Sequence, residues 1–199
     1  IAVWQERIDA NSPWQIKACT KYYSPSESWG SVIDISENED LNDNIYPKID
    51  TLRTGEGYGQ NYHHYWNIVW QRMDDCYNWE IKMYTSYYTD GGPTIQINTI
   101  ISGSPGSYRH PAVACTYISG GDCEVHIVYD AYLSSMNYIQ VQSGWVSSNA
   151  TYTRYNVGPY DLDSDSTDSE IGYPDITCSG PGGGPGHPNV QTGQGTVWI

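Results

Sequence analysis

The residues best suited to chemistry by type and spacing form an acidic run, Asp161-Leu162-Asp163-Ser164-Asp165-Ser166-Thr167-Asp168-Ser169-Glu170. Asp161, Asp163, Asp165 and Asp168 could turn several hard oxygens onto one calcium ion. The run is not an EF-hand loop. Ser166 stands at the sixth position, where glycine makes the sharp turn, and Gly172 at the twelfth, where a bidentate glutamate closes the sphere. The plainer reading is a solvated acidic loop. A second acidic stretch, Glu37 to Asn44, occupies a matching place earlier in the chain.

Aromatic residues offer a different chemistry. Tyr62, Tyr65 and Tyr88, in tyrosine-rich stretches with Trp66 and the pair His63-His64, are candidates for stacking on sugar rings or a protein partner. Their alternative is packing between structural layers. Adjacent histidines on an extended chain face opposite ways, so His63 and His64 are poor joint ligands for one metal and read as packing residues. Cys115 and Cys123 flank a hairpin-like turn and form a candidate disulfide, with buried free thiols as the alternative. Five cysteines leave at least one outside any pairing within the chain. Asn149-Ala150-Thr151 is a sequon, which makes Asn149 a candidate glycosylation site in a secreted protein.

The elements that must position these residues are announced by repetition. Ile68-Val69-Trp70-Gln71 recurs as Ala2-Val3-Trp4-Gln5, as Ile127-Val128-Tyr129-Asp130, and as Thr196-Val197-Trp198-Ile199. Trp14-Gln15-Ile16-Lys17 is echoed by Trp79-Glu80-Ile81-Lys82, and more weakly by Asn137-Tyr138-Ile139-Gln140. Tyr46-Pro47-Lys48-Ile49, His110-Pro111-Ala112-Val113 and Tyr173-Pro174-Asp175-Ile176 mark a third station. A period of about 60 residues means one supersecondary unit stacked on copies of itself. In the clearest unit four apolar runs, 47–51, 67–71, 80–85 and 94–101, are separated by turn signals at 74–78 and 89–93. Ile81 and Met83 alternate with Lys82 and Tyr84, the period of a strand. The spacing predicts an all-β chain of antiparallel four-stranded units.

Composition agrees with that prediction. There are 19 Tyr, eight Trp and no Phe, with 20 Gly and 11 Pro as punctuation. No stretch is apolar for long enough to cross a bilayer as a helix. Net charge is −14, from nine basic and 23 acidic residues, which argues against a nucleic-acid partner. Few lysines and many Tyr, Asn, Ser and Thr suit an extracellular or cell-surface protein. The chain opens directly on strand-like Ile1-Ala2-Val3-Trp4, so a leader has been removed or lies outside this sequence.

The order Pro-x-Ile/Val, Ile-Val-Trp-Gln, Glu-Ile-Lys-Met, then Ser86-Tyr87-Tyr88-Thr89-Asp90-Gly91-Gly92, resembles the sialidase-type β-propeller repeat. The family's Asp-box is degenerate here: the tryptophan is missing after Gly92, and Ser24 to Trp29 keeps serine and tryptophan without the glycine. The resemblance implies about three blades, half of a six-bladed ring or an open, assembled array. The repeats run from about 1 to 51, 52 to 115 and 116 to 178, followed by a Gly/Pro-rich stretch 179–188 and a partial repeat 189–199. Both Pro174 and Pro188 precede plausible first strands of the last unit, and Pro188 has the more compact spacing. The rest of a longer chain or further copies would then be the partners. A sialidase needs an arginine cluster, and none of Arg7, Arg53, Arg72, Arg109 and Arg154 can be placed on that family's motif. No catalytic residue is assigned. Expected instead is a structural, adhesive or surface-assembly role, with glycan or protein binding as one alternative and part of a sialidase-like hydrolase as another. Calcium is the only candidate cofactor.

Overall fold

Local turn chemistry sets the strands. After β5 (His63–Met73), the carboxylate of Asp74 accepts the N–H groups of Cys76 and Asn78 at 2.8 and 2.7 Å, with Tyr77 at φ 63°. That closes the turn into β6 (Trp79–Thr89). Between β9 (Cys123–Leu133) and β10 (Met136–Val146) only Ser134 and Ser135 intervene, at φ 51° and 67°. Two consecutive left-handed residues are what a tight hairpin needs to match strand twist.

The computed structural model describes residues 1–21, 28–36, 42–54, 63–89, 95–102, 106–118, 122–147, 149–154, 159–165, 174–179 and 196–198. Among these the protein is all-β and its sheets are antiparallel. Sheet A contains β1 (Ala2–Glu6), β2 (Gln15–Cys19) and β3 (Ile33–Asp34) in that order. Sheet B runs β4 (Asn44–Thr54), β5, β6, β7 (Ile95–Ser102). Sheet C runs β8 (Ser107–Tyr117), β9, β10, with β11 (Tyr152–Arg154) and β12 (Tyr160–Asp165) pairing successive parts of β10. Sheet D pairs β13 (Thr177–Ser179) with β14 (Thr196–Trp198). Among the described residues the strand that pairs with β14 lies just after Pro174, while Pro188 and the stretch that follows it lie outside the described residues.

Strand alternation gives each sheet two faces, and both are used. Ile16 and Ala18 of sheet A, with Ile35 just past β3, pack on Ile68, Trp70 and Tyr84 of sheet B, joined by Val3 and Ile49. The opposite face of B presents Val69, Ile81 and Met83 to Val113, Ile127 and Tyr129 of C. The far face of C carries Ala112, Val128, Ile139 and Val141, on which Ile176 rests. Residues at matching repeat positions make matching contacts: Ile16, Ile81 and Ile139 from third strands, and Ile49, Val113 and Ile176 from the Pro stations. Trp70, only 1% exposed, is core, and its Nε1 donates to Asn44 Oδ1 at 2.8 Å.

The Pro stations are bulges. Pairing slips between Ile45 and Lys48 in β4 and between Arg109 and Ala112 in β8. Proline cannot donate to a ladder, and the residue before it flips to positive φ: 55° at Tyr46 and 50° at His110. Each freed N–H finds the same acceptor on the neighbouring sheet. Tyr46 donates to Gln5 Oε1 at 2.8 Å and His110 to Gln71 Oε1 at 2.9 Å.

Candidate functional site

At one end of the contact between sheets A and B the packing opens into a cleft of about 250 Å³. Its floor is cross-strand. Arg53 pairs with His64 and His64 with Tyr88, while Thr51 pairs with Trp66, so these side chains share the face turned toward sheet A. Lys21, Thr20 and Ile1 stand opposite. The His64 and Tyr88 rings stack at 4.3 Å with planes 2° apart, and Trp66 meets Tyr88 edge-on at 5.8 Å. Two of the nine basic residues and three rings thus border one recess in a strongly acidic chain. Ring faces bind sugar or other flat apolar surfaces, and cationic rims hold acidic or hydroxylated groups.

The predicted contact tyrosines separate in space. Tyr88 is half-buried in this cleft. Tyr65, on the same strand as Trp66 but one residue out of phase, points the other way and is fully buried against sheet C. Its hydroxyl is held protonated by desolvation and by the neighbouring Tyr87. Tyr65 is therefore a packing residue, because side chains alternate along a strand. Tyr62 lies outside the described residues. His63 and His64 do face opposite ways: His63 shares a 2.7 Å hydrogen bond with Tyr87 while His64 lines the cleft.

Cys115 and Cys123 sit together in the B–C core as free thiols. Asn67 Nδ2 reaches them at 3.2 and 3.7 Å. A hydrogen bond with Cys123 and burial push the Cys115 thiol well above its ordinary range. Cys115 pairs with Val125 and Cys123 with Tyr117, so the two are diagonal neighbours.

Of the acidic run, Asp161, Asp163 and Asp165 belong to strand β12 rather than to a loop. Asp161 is exposed and accepts from Gln140 Nε2 at 2.8 Å. Asp168 lies outside the described residues. Among the described residues, no three His, Cys, Asp or Glu side chains gather as a metal site would require. Asn149 is exposed in a turn, where its Oδ1 accepts from Ser147 Oγ and from the Thr151 N–H at 3.0 Å.

A charged cluster at the second Pro station was not anticipated. Asp130 pairs with Arg109 across the strands and is 5% exposed. Its carboxylate meets His110 Nδ1 at 2.9 Å and Arg109 Nε at 3.4 Å. Burial raises the Asp130 carboxyl, and His110 and Arg109 work against that rise. The Tyr46 ring, from the preceding station, meets His110 edge-on at 5.4 Å. The signal was present in the repeat: Asp130 replaces Gln71, and Arg109-His110 replaces Ile45-Tyr46. A second groove, about 370 Å³, runs along β4, β8 and the segment leading into β13. There Asp50 Oδ2 accepts the Cys115 N–H at 2.7 Å, tying one first strand to the next. No protein-family model matches the chain, and no curated protein or solved structure matches it.

Proposed function

We propose that the chain is a non-catalytic, extracellular β-propeller-type repeat segment with a structural, adhesive or surface-assembly role. The observation that carries this reading is the recurrence of one inter-sheet contact. Ile16 and Ala18, Ile81 and Met83, then Ile139 and Val141 present the same pattern to the next unit. The first two contacts are keyed by the same glutamine-to-N–H bond. A surface reused in this way is suited to stacking units into a larger scaffold. The first strands β4, β8 and β13 would then lie nearest a common axis, as their shared groove supports. Small-angle scattering and electron microscopy test this: sheets fanned about one axis are expected, and a flat sandwich would overturn the reading.

Glycan binding is a second reading, favoured by the aromatic, cation-rimmed cleft. On a glycan array the protein would retain specific sugars, and Trp66→Ala with Tyr88→Ala would abolish that retention. Retention undiminished in the double variant would remove the cleft as the site.

A further inference from the structure

The two recesses described above differ in charge. The groove along β4 and β8 carries Asp50, Asp175 and Lys48, whereas none of the described residues lining the cleft between sheets A and B is acidic. The cleft instead has one cation on each wall: Arg53 on β4 and Lys21 shortly after β2, both exposed. In a chain of 23 acidic and nine basic residues that is a local reversal of sign.

Packing does not call for it. At the matching positions of sheet C, Tyr117 stands for Arg53, Cys123 for His64 and Val125 for Trp66. There Cys123 and Val125 meet Tyr65 and Tyr87 of sheet B in a contact built without a charge. The cleft also sets an aromatic wall beside its cations. Trp66 is half-buried and meets Tyr88 edge-on at 5.8 Å, while Thr51, its cross-strand partner, brings a hydroxyl to the same face. A pyranose ring has an apolar C–H face that lies on such a ring and a hydroxylated rim that does not. A volume of about 250 Å³ is below the roughly 300–1,000 Å³ of drug-sized sites, which suits one sugar ring at a time.

We propose that the cleft binds a uronic acid residue of an acidic glycan, with the sugar face on Trp66 and the carboxylate held by the Arg53 guanidinium, Lys21 standing opposite. The inference rests on the glycan reading above and narrows it from sugars in general to carboxylated ones. A guanidinium presents paired N–H donors in the plane that the two oxygens of a carboxylate match, and such charge-assisted hydrogen bonds are roughly twice as strong as neutral ones. The net charge of −14 repels an anion at long range, but at physiological ionic strength that repulsion is screened beyond about 8 Å. Contact with the two cations therefore decides binding, and the acidic majority of the chain disfavours the anion elsewhere.

Calorimetric titration of the whole chain with glucuronic and galacturonic acid trimers, their methyl esters and the neutral hexose trimers tests this. An ester keeps the shape of its uronide and loses the charge. A uronide should bind at least about tenfold more tightly than its ester or the neutral trimer, the loss expected for a charge-assisted hydrogen bond. Arg53→Gln should remove most of that preference, and Arg53→Gln with Lys21→Gln all of it. Both side chains are exposed, so neither change disturbs the fold. Trp66→Ala should weaken charged and neutral sugars together. If ester or neutral trimer binds as tightly as the uronide, or if Arg53→Gln keeps the preference, the acidic specificity falls and the glycan reading stands. Retention of other glycans on an array without binding to either uronide has the same meaning. If no trimer binds and the array retains nothing, both fall.

Discussion

Where sheet A meets sheet B, the far ends of β4, β5 and β6 carry Thr51, Arg53, His64, Trp66 and Tyr88. Where B meets C, the matching positions of β8, β9 and β10 carry Cys115, Tyr117, Cys123, Val125 and Val146. The centres of the two contacts are alike, with Ile16 and Ala18 in one doing what Ile81 and Met83 do in the other. Their ends differ because sheet B places bulk on both faces. Toward C, Tyr65 and Tyr87 fill the space left by small Cys and Val side chains, and the end is closed. Toward A, His64, Trp66 and Tyr88 meet Thr20, Lys21 and Ile1, and a cleft remains. Among the described residues one repeat register thus yields a sealed end and an open one, and the side-chain volumes at matching positions differ accordingly.

Truncation should expose that difference most strongly. Tyr65→Ala empties a site in the closed end and is expected to cost about 3–5 kcal/mol, the range for removing a buried aromatic. Trp66→Ala, one residue away on the open end, should cost no more than about 1.5 kcal/mol, since its loss is mainly that of an aromatic pair. Urea unfolding of both variants measures this. Equal costs would mean that the two ends are packed alike.

The shared glutamine key offers a finer comparison. Gln71 is 2% exposed and its Oε1 serves the N–H of half-buried His110, so Gln71→Ala strands a partly buried donor at a cost of about 1–3 kcal/mol. Gln5 does the same for Tyr46, which is 46% exposed and can turn to water. Gln5→Ala should therefore cost under about 1 kcal/mol. Reversal of that order in the same unfolding assay would show that the A–B contact is the tighter one.

Much of this was legible because it depends on periodicity. The 2-residue alternation of Ile81, Met83 and Tyr84 assigns each to its observed face, while the bulges at the Tyr46 and His110 stations emerge only from the pairing. What escaped depends on phase and partnership. Tyr65 and Tyr88 look equivalent as tyrosines in aromatic stretches, yet a single residue's phase buries one and leaves the other in a cleft. Asp161, Asp163 and Asp165 read as loop because acidic residues disfavour strands. Pairing with β10 overrides that propensity. The Arg109–His110–Asp130 cluster needed the repeats to be compared column by column rather than searched for a motif.

That cluster provides the last contrast, between a neutral and an ionisable residue at one repeat position. Gln71 has no charge to titrate, whereas burial lifts the Asp130 carboxyl above its ordinary value of 3.8, against the pull of His110 and Arg109. A raised folded value means that the native state holds the proton more tightly than the unfolded chain. The associated stability is complete below 3.8 and declines as pH climbs through the raised folded value. Asp130→Asn removes this group's titration, so over that interval the variant should lose less stability on raising the pH than the parent does. Gln71→Glu should introduce a decline of the same sign, because it buries a carboxyl at the matching position. Unfolding free energies at half-unit steps between pH 4 and pH 7 would resolve both. A parent and an Asp130→Asn variant with parallel profiles would show that His110 and Arg109 fully offset the burial. The two stations would then differ in composition but not in their electrostatic effect on the fold.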